Sequence, residues 1–295
     1  MLKTFEKFFI LFLSFGFMYY ISERLINSSL NEKDNIKVFI KHFNKHFTLN
    51  KYENDLIEDI IFPDMNSKEI IGYDDIKSQI DNLVIKPLVS NFNYLPNGII
   101  FHGPPGTGKT LFAKYIVNKT NIPLLNFDIA TIENKYYGET SKFIKAVFSL
   151  ANKIQPCIIF MDEIDGICSE RSSLDQFHVN NMKTQLLKNL DGISSNNSKI
   201  ICIGTTNKLN FIDKAMKRRM RTYINFSLPS LIDIKNQFEY FLQNSTDLFN
   251  LLTDDDFNNC IGLSCSDINE ISKQILLHSQ YDSEFSISSI ISKFK

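Results

Sequence analysis

The chain has 295 residues, enough for one α/β domain and a small satellite domain, and its 43% hydrophobic content is ordinary for a chain that buries a core. Its 32 basic and 33 acidic residues give a net charge of -1, which argues against a general role in nucleic-acid binding, because such domains usually carry a basic excess. The five cysteines include no C-x-x-C pair, so we predict reduced thiols and a folded part that faces the cytosol or a similar compartment.

Residues 1–24 are predicted to form an N-terminal apolar helix that anchors the chain in a membrane. Residues 8–22 contain no charge and are flanked by Lys7 and Arg24. As a helix this run would span about 22 Å, short of the roughly 30 Å hydrocarbon core, but the flanking cations can snorkel. A cleaved signal peptide and a buried or interfacial helix are the alternatives. No small-x-small cleavage site follows the run, which disfavours the signal peptide.

Residues 25–65 are polar and are predicted to form linker helices, because Phe43 and Phe47 lie four residues apart. His42 and His46 share this spacing, which can hold a metal ion. The zincin pattern, however, requires a glutamate directly after the first histidine, and Phe43 occupies that position. We therefore predict an amphipathic linker rather than a metal site.

Residues 66–229 alternate between helical and strand patterns and are predicted to form a large α/β domain. Five compact apolar runs are predicted to be strands, at residues 98–102, 122–128, 157–161, 199–204 and 223–229. Helical stretches separate most of them, which is typical of a five-stranded parallel sheet flanked by helices on both faces. Residues 230–295 show no further strand pattern, and we predict a small C-terminal helical domain there.

A phosphate-binding motif, the P-loop, lies between the first predicted strand of this domain and the helix that follows. Residues 103–110, GPPGTGKT, match G-x-x-x-x-G-K-[ST]. Two glycines let successive N–H groups face inward, and the positive end of the new helix is directed to the same place. Lys109 is predicted to neutralise the β and γ phosphates of a nucleotide, and Thr110 to ligate Mg²⁺. The predicted nucleotide contacts in this segment are Pro105, Gly106, Thr107, Gly108, Lys109, Thr110 and Leu111.

Two carboxylates and an amide follow other predicted strands. Asp162 and Glu163 end one apolar run, and Asn207 ends the next. Because ligands of open parallel sheets collect at the carboxyl ends of the strands, we expect all three beside the P-loop. Asp162 would hold the Mg²⁺ ion, Glu163 would orient and deprotonate the attacking water, and Asn207 would position the water or the γ phosphate. The alternatives are a solvated strand end or helix cap for the acidic pair and a turn residue for the asparagine.

Arg218 and Arg219 precede the fifth predicted strand and are expected at the domain edge, away from the nucleotide of their own chain. In isolation such a basic run is more often a solvated face or a phosphate-contacting patch. Alongside a P-loop, we interpret it as an arginine finger offered to a neighbouring subunit, which accelerates phosphoryl transfer by roughly 10³ to 10⁵ in related systems. A finger supplied in trans implies a ring closed head to tail.

Together, GPPGTGKT, IIFMDEID, GTTN and AMKRR resemble the AAA ATPases of the group that contains katanin, spastin, the ESCRT-disassembling ATPase and the mitochondrial outer-membrane dislocase. The resemblance implies a P-loop AAA module that uses ATP and Mg²⁺ and assembles as a homo-hexamer. It also implies that Ile71 and Gly72 contact the adenine and that KYYGETSK is the first pore loop. Tyr136 and Tyr137 would then line a central channel and grip an extended polypeptide without reading its sequence.

Single-stranded nucleic acid is a rival cargo, because aromatic loops also stack bases, but the near-neutral charge disfavours it.

Three positions depart from the pattern of the group. Tyr73 replaces the second glycine of the adenine-contacting turn, Cys265 replaces a glycine in the segment GLSCSD, and Tyr223 stands where many relatives carry a further arginine.

The arrangement of an N-terminal apolar segment ahead of the AAA module resembles that of the dislocase. It implies a membrane-anchored, ATP-hydrolysing motor that extracts or unfolds membrane proteins, such as mislocalised tail-anchored proteins. The AAA domain is expected in the cytosol at the mitochondrial outer membrane, with the peroxisome as the alternative. Two rivals stay open: a soluble remodeller of cytoskeletal or ESCRT polymers, and a degenerate subunit that serves a mixed ring as a structural partner. Intact Lys109, Asp162, Glu163 and Arg219 argue against the degenerate subunit.

Overall fold

The computed structural model describes residues 36–40, 45–64, 69–90, 96, 98–128, 139–168, 176–195, 199–243, 245–281 and 286–294. The chain divides into two compact units, Met1–Asp55 and Leu56–Lys295. In the part of the chain that is described, no helix is long and apolar enough to cross a membrane. The predicted N-terminal apolar helix lies outside the described residues.

The N-terminal unit contains two antiparallel strands followed by a short helix. These are β1 (Ile36–Ile40), β2 (Lys45–Leu49) and α1 (Lys51–Asp55), with Ile36 opposite Leu49 and Ile40 opposite Lys45. The prediction of linker helices is therefore wrong for both strand segments. The four-residue spacing of two phenylalanines suggested a helix, but the runs IKVFI and KHFTL are rich in the β-branched and aromatic residues that strands favour.

The larger unit is built on a six-stranded sheet. Its strands are β3 (Ile60–Ile61), β4 (Gly98–His102), β5 (Leu124–Asp128), β6 (Cys157–Asp162), β7 (Ile200–Thr206) and β8 (Thr222–Asn225), in the spatial order β3-β5-β6-β7-β4-β8. The five predicted strands run parallel, but β3 pairs antiparallel with β5 at one edge. The predicted five-stranded parallel sheet is thus corrected to a mixed sheet of six strands. A two-residue strand is too short to show a periodic pattern in the sequence.

Helices cover both faces of the sheet. They are α2 (Asp74–Ile80), α3 (Lys86–Val89), α4 (Lys109–Thr120), α5 (Thr140–Ile154), α6 (Asp165–Cys168), α7 (Gln176–Ser195) and α8 (Lys214–Arg219). On one face, Phe112 and Ile116 of α4 share a buried cluster with Ile99 and Phe101 of β4. On the other face, α5 packs against β5 and β6, and α7 packs against α5. Burial on both faces explains why the strands read as continuous apolar runs.

The C-terminal helices have a core of their own. They are α9 (Leu231–Phe241), α10 (Thr246–Asn250), α11 (Asp254–Asn259), α12 (Cys265–Tyr281) and α13 (Ile287–Ser292). Phe238, Phe257 and Ile271 lie in one buried cluster contributed by several of these helices. Reciprocal capping boxes, Ser230 with Asp233 and a matching pair before α11, fix where two of the helices begin. The predicted helical C-terminal region is confirmed.

The four cysteines whose side chains are described are free thiols, as predicted. Cys157 and Cys202 are buried in neighbouring strands of the sheet. Burial raises the pKa of the Cys157 thiol to about 12, so this side chain stays protonated and behaves as a small hydrophobic residue.

Candidate functional site

The P-loop, residues 103–110, connects the end of β4 to the first turn of α4. Gly106 and Gly108 adopt left-handed conformations with φ of 74° and 89°, which residues with a side chain adopt only with strain. Gly108 is the N-cap of α4, and no side chain caps the first turn. The first N–H groups of α4 are therefore available for an anion, and the helix dipole adds positive potential at the same place.

Lys109 is held over the P-loop and is only 8% exposed. Its ammonium donates to the carbonyl oxygens of Gly103 at 2.8 Å and Pro104 at 2.7 Å. An ammonium has three N–H donors, so one is left for a phosphate oxygen. Burial lowers the pKa of Lys109, and three nearby acidic side chains, Asp162 among them, act in the opposite direction.

The other predicted contacts of the P-loop have distinct environments. Thr107 is buried, and its hydroxyl donates to the carbonyl oxygen of Pro104 at 2.9 Å, which stiffens the loop. Pro105 and Leu111 are exposed. Contact of these residues with nucleotide stays a prediction.

Asp162 is the centre of a hydrogen-bond network at the carboxyl end of β6. The Thr110 hydroxyl donates to its Oδ2 at 3.1 Å, and the Thr205 hydroxyl donates to its Oδ1. A carboxylate and a hydroxyl are hard oxygen ligands of the kind that Mg²⁺ prefers. The pair predicted to hold Mg²⁺, Thr110 and Asp162, is thus brought together beside the P-loop, and its chemistry fits that ion.

Thr205 also fixes the backbone of Glu163, a role that the sequence did not reveal. Its hydroxyl accepts from the Glu163 N–H at 3.0 Å, and its carbonyl accepts from the Ile164 N–H at 2.9 Å. Glu163 adopts a left-handed conformation with φ of 49°, and strain of this kind is concentrated at functional sites. The Glu163 side chain is exposed, so its carboxylate is accessible to water.

The register of β6 and β7 decides which residue lies level with Asp162. Met161 pairs with Gly204, so the next residue of β7, Thr205, lies beside Asp162. Asn207, expected at this level, follows the end of β7 and is exposed. Its part in positioning water or phosphate stays a prediction. Two adjacent threonines end the strand, and only the pairing shows which of them faces the carboxylate.

The C-terminal helices contact the P-loop through the residues around the start of α12. The Ser266 N–H donates to the Gly106 carbonyl oxygen at 3.1 Å, and the Ser266 hydroxyl donates to the same atom at 3.3 Å. A Cβ atom on Gly106 would lie 2.4 Å from the Ser264 hydroxyl. Ser264 is held by Asp267, whose Oδ2 accepts its N–H at 2.9 Å. The conformation of the P-loop therefore depends on where α12 begins.

The turn predicted to contact adenine is tied to α9. The Tyr73 N–H donates to Asp233 Oδ1 at 2.9 Å, and a Cβ atom on Gly72 would lie 2.4 Å from the same oxygen. Gly72 is buried and Ile71 is half-buried. Glycine is needed here for the turn to approach α9 closely, whereas contact of Ile71 and Gly72 with adenine stays a prediction.

Two of the departures from the family pattern contact each other. The Cys265 thiol donates to the Tyr73 hydroxyl at 3.1 Å, although the two residues are 192 positions apart. Burial, followed by the bond to Cys265, raises the pKa of the Tyr73 phenol, so it stays protonated. A contact over so long a separation cannot be inferred from one sequence.

Arg218 and Arg219 lie towards the end of the sheet that is opposite the P-loop. They end α8, two residues before β8 begins, and Thr222 at the start of β8 pairs with Ile99 near the amino end of β4. The P-loop follows the opposite, carboxyl end of β4. Arg219 donates to both carboxylate oxygens of Asp191 on α7, at 2.8 and 2.6 Å, while Arg218 is exposed.

The aromatic pair of the predicted pore loop, Tyr136 and Tyr137, lies outside the described residues. Helix α5 begins at Thr140, three residues after the second tyrosine. It packs against β5 and β6, and so contacts the strand that ends in Asp162.

Replacing Thr205 by valine should lower nucleotide turnover about tenfold while leaving nucleotide affinity within about twofold. Valine keeps the shape but loses the hydroxyl that orients Glu163 and bonds Asp162. Steady-state turnover and equilibrium binding of a fluorescent nucleotide measure the two quantities. Thr205→Ser, which keeps the hydroxyl, is the matched control, and equal loss in both variants would contradict this role.

Comparison with known proteins supports the nucleotide site. Residues 99–228 match the family described as "ATPase family associated with various cellular activities (AAA)". The chain is 38% identical over 194 residues to the outer mitochondrial transmembrane helix translocase of Danio rerio, an alignment that covers 62% of this chain and 51% of that protein. It is 34% identical over 245 residues to the protein of the same name from Homo sapiens, with coverage of 78% and 66%. The chain thus spans between half and two thirds of these relatives.

Solved structures share the fold. The FIGL-1 AAA domain in complex with ADP aligns with a TM-score of 0.68 at 21% identity, over 84% of this chain and 90% of that one. A structure described as the structural basis for katanin self-assembly aligns with a TM-score of 0.66 at 22% identity, over 85% and 88%. These structures share the fold; the family match over residues 99–228 and the identity with the translocases, together with the P-loop geometry, show that the chain belongs to the AAA ATPase family, whose members bind ATP with Mg²⁺ and hydrolyse it.

Proposed function

We propose that this chain is a membrane-anchored, ATP-hydrolysing motor that assembles as a homo-hexamer and extracts membrane proteins. The observation that carries the proposal is the network of Asp162, Thr205 and Glu163 beside an intact P-loop. This network supports turnover of ATP and argues against a degenerate structural subunit. The curated relatives are named for translocating transmembrane helices, which supports membrane proteins, including mislocalised tail-anchored ones, as clients.

Each group in the site has a part in hydrolysis. Lys109 and the first N–H groups of α4 bind the β and γ phosphates. Thr110 and Asp162 hold Mg²⁺, which neutralises charge on the phosphate oxygens when it is bound. Glu163 accepts a proton from the attacking water, with its backbone fixed by the buried hydroxyl on β7. Asn207 positions the water or the γ phosphate.

Arg218 and Arg219 act on the nucleotide of a neighbouring subunit. Their place at the far end of the sheet from their own P-loop supports supply in trans. A residue supplied in trans by every subunit requires a heterologous interface that closes into a ring. Hydrolysis is then possible only in the assembled hexamer.

Tyr136 and Tyr137 of each subunit grip the client in the central pore. Flat amphipathic rings offer a large contact area and no sequence preference, which suits a polypeptide of any composition. Helix α5 supports coupling to the nucleotide, because it begins just after the pore loop and packs against β6. The cargo is protein rather than nucleic acid, in keeping with the net charge of -1.

Residues 8–22 tether the motor to the mitochondrial outer membrane, with the AAA domain in the cytosol. The names of the curated relatives support this membrane, and the free cysteines of the larger unit suit the cytosol. A tethered motor acts on clients inserted in the same bilayer. The peroxisomal membrane is the alternative location.

Replacing Glu163 by glutamine should preserve ATP binding and lower hydrolysis at least about a hundredfold, because the amide cannot accept the proton. Extraction of a reconstituted single-span client should stop with it. Glu270→Gln on the exposed surface of α12 is the matched control and should behave as the original chain. Undiminished hydrolysis in Glu163→Gln would contradict the role of Glu163 as the proton acceptor.

Replacing both pore-loop tyrosines, Tyr136→Ala with Tyr137→Ala, should reduce client extraction to background while ATP hydrolysis stays within about threefold. In the proposed mechanism the tyrosine rings bind the client and take no part in ATP hydrolysis. Tyr281→Ala, at an 82% exposed tyrosine on α12, is the control. Full extraction by the double variant would contradict threading through an aromatic pore.

Residues 1–30 fused to a fluorescent protein should coincide with an outer-mitochondrial marker. Leu11→Lys with Phe15→Lys in the same fusion should make the signal diffuse, because each charge at the centre of a span costs about 2.5–3.5 kcal/mol. A diffuse signal from the unaltered fusion would instead favour a soluble remodeller.

A further inference from the structure

We propose that Tyr73, Gln237 and Cys265 form a hydrogen-bonded clasp that positions the start of α12 against the P-loop and thereby sets the affinity for nucleotide. The inference rests on the proposed function only in that nucleotide is the ligand of the P-loop. The inference does not depend on a client, a membrane or a hexamer. The three residues are positioning residues, since they act through the P-loop.

The clasp joins segments that are distant in the sequence. The Tyr73 hydroxyl donates to the Ser227 carbonyl oxygen at 2.9 Å and accepts from the Cys265 thiol at 3.1 Å. The Gln237 amide donates to the Cys265 sulfur at 3.2 Å. The turn before α2, the segment after β8, α9 and α12 are thus connected by one chain of hydrogen bonds, and such chains are stronger together than separately.

The phenol at the centre of the clasp is rigidly placed. Tyr73 is 8% exposed, and its ring meets Phe112 of α4 edge-on at a centroid distance of 6.2 Å. Phe112 lies in the first turn of the helix that follows the P-loop. The ring therefore packs against one side of the nucleotide-binding helix while its hydroxyl bonds the start of α12.

A short path connects the clasp to the P-loop. Cys265 lies between Ser264 and Ser266, and both serines pack on Gly106. The bond from the Ser266 N–H to the Gly106 carbonyl oxygen is 3.1 Å long. Releasing Cys265 from Tyr73 would let the start of α12 shift, and the left-handed conformation of Gly106 would lose its support.

Two features of the clasp lower the stability of the folded chain. Their presence indicates that the arrangement serves the nucleotide site. Tyr73 adopts a left-handed conformation with φ of 57°, which is strained for a residue with a side chain. Gln237 is 4% exposed, and its Oε1 has no hydrogen-bond partner in the described part of the chain. Buried unpaired oxygens are costly, and such costs persist mainly where function requires the arrangement.

The test is the dissociation constant of ADP for the full-length protein, measured by displacement of a fluorescent ADP analogue. Tyr73→Phe and Cys265→Ala should each raise it about five- to tenfold, the effect of about one hydrogen bond. The double variant should weaken binding by less than the product of the two single effects, because both variants remove the bond between Tyr73 and Cys265. Cys265→Ser, which keeps a donor and an acceptor, should stay within about twofold of the original.

Tyr115→Phe is the matched control, because it also removes a phenol hydroxyl, one that donates to Asp81 at 3.4 Å and so belongs to a hydrogen bond outside the clasp. It should leave the dissociation constant unchanged. Thermal unfolding without nucleotide separates positioning from general stability. An unchanged dissociation constant in Cys265→Ala, equal weakening in Cys265→Ser and Cys265→Ala, or multiplicative effects in the double variant would each overturn the proposal. Should Tyr73→Phe fail to fold, the two Cys265 variants decide. A failure of client extraction would bear on the proposed function alone.

Discussion

The site depends on the parallel alignment of β4, β6 and β7, whose carboxyl ends meet at one edge of the sheet. That edge brings the Thr110 hydroxyl to the Asp162 carboxylate across 52 positions of the chain, and Thr205 to the same carboxylate across 43. Each strand is buried on both faces, so its register is fixed by packing. In the function that we propose, the metal ligands and the proton acceptor are therefore held in place before the nucleotide binds, which is the condition for electrostatic catalysis.

The C-terminal helices form the second boundary of the nucleotide site. They have a separate core around Phe238, yet Ser264 and Ser266 contact Gly106 of the P-loop directly. A helical region with its own core can move as a body, and any such movement reaches the phosphate-binding backbone through these contacts. In the ring that we propose, these contacts would couple the nucleotide site to the C-terminal helices, because a coupling element must respond to both sites.

The fold was largely predictable because a parallel sheet leaves a strong pattern. Strands covered on both faces must be apolar throughout, and the intervening helices must separate them. The strands β1, β2 and β3 were missed for a different reason. They pair antiparallel with a partner, and the stability of a short strand comes from that partner rather than from its own pattern. The spacing of Phe43 and Phe47 suggested a helix, although pairing favoured strands.

The sequence by itself determined the P-loop, the acidic pair after a buried strand and the chain order of the five parallel strands, because each of these is a local pattern with a mechanical meaning. Only the tertiary structure decided that Thr205 rather than Asn207 lies beside Asp162, because pairing register depends on the packing of two whole strands. The contact of Tyr73 with Cys265 was likewise decided by folding. Two side chains so far apart in the chain leave no joint signal in a single sequence, since only the packed helices bring them together.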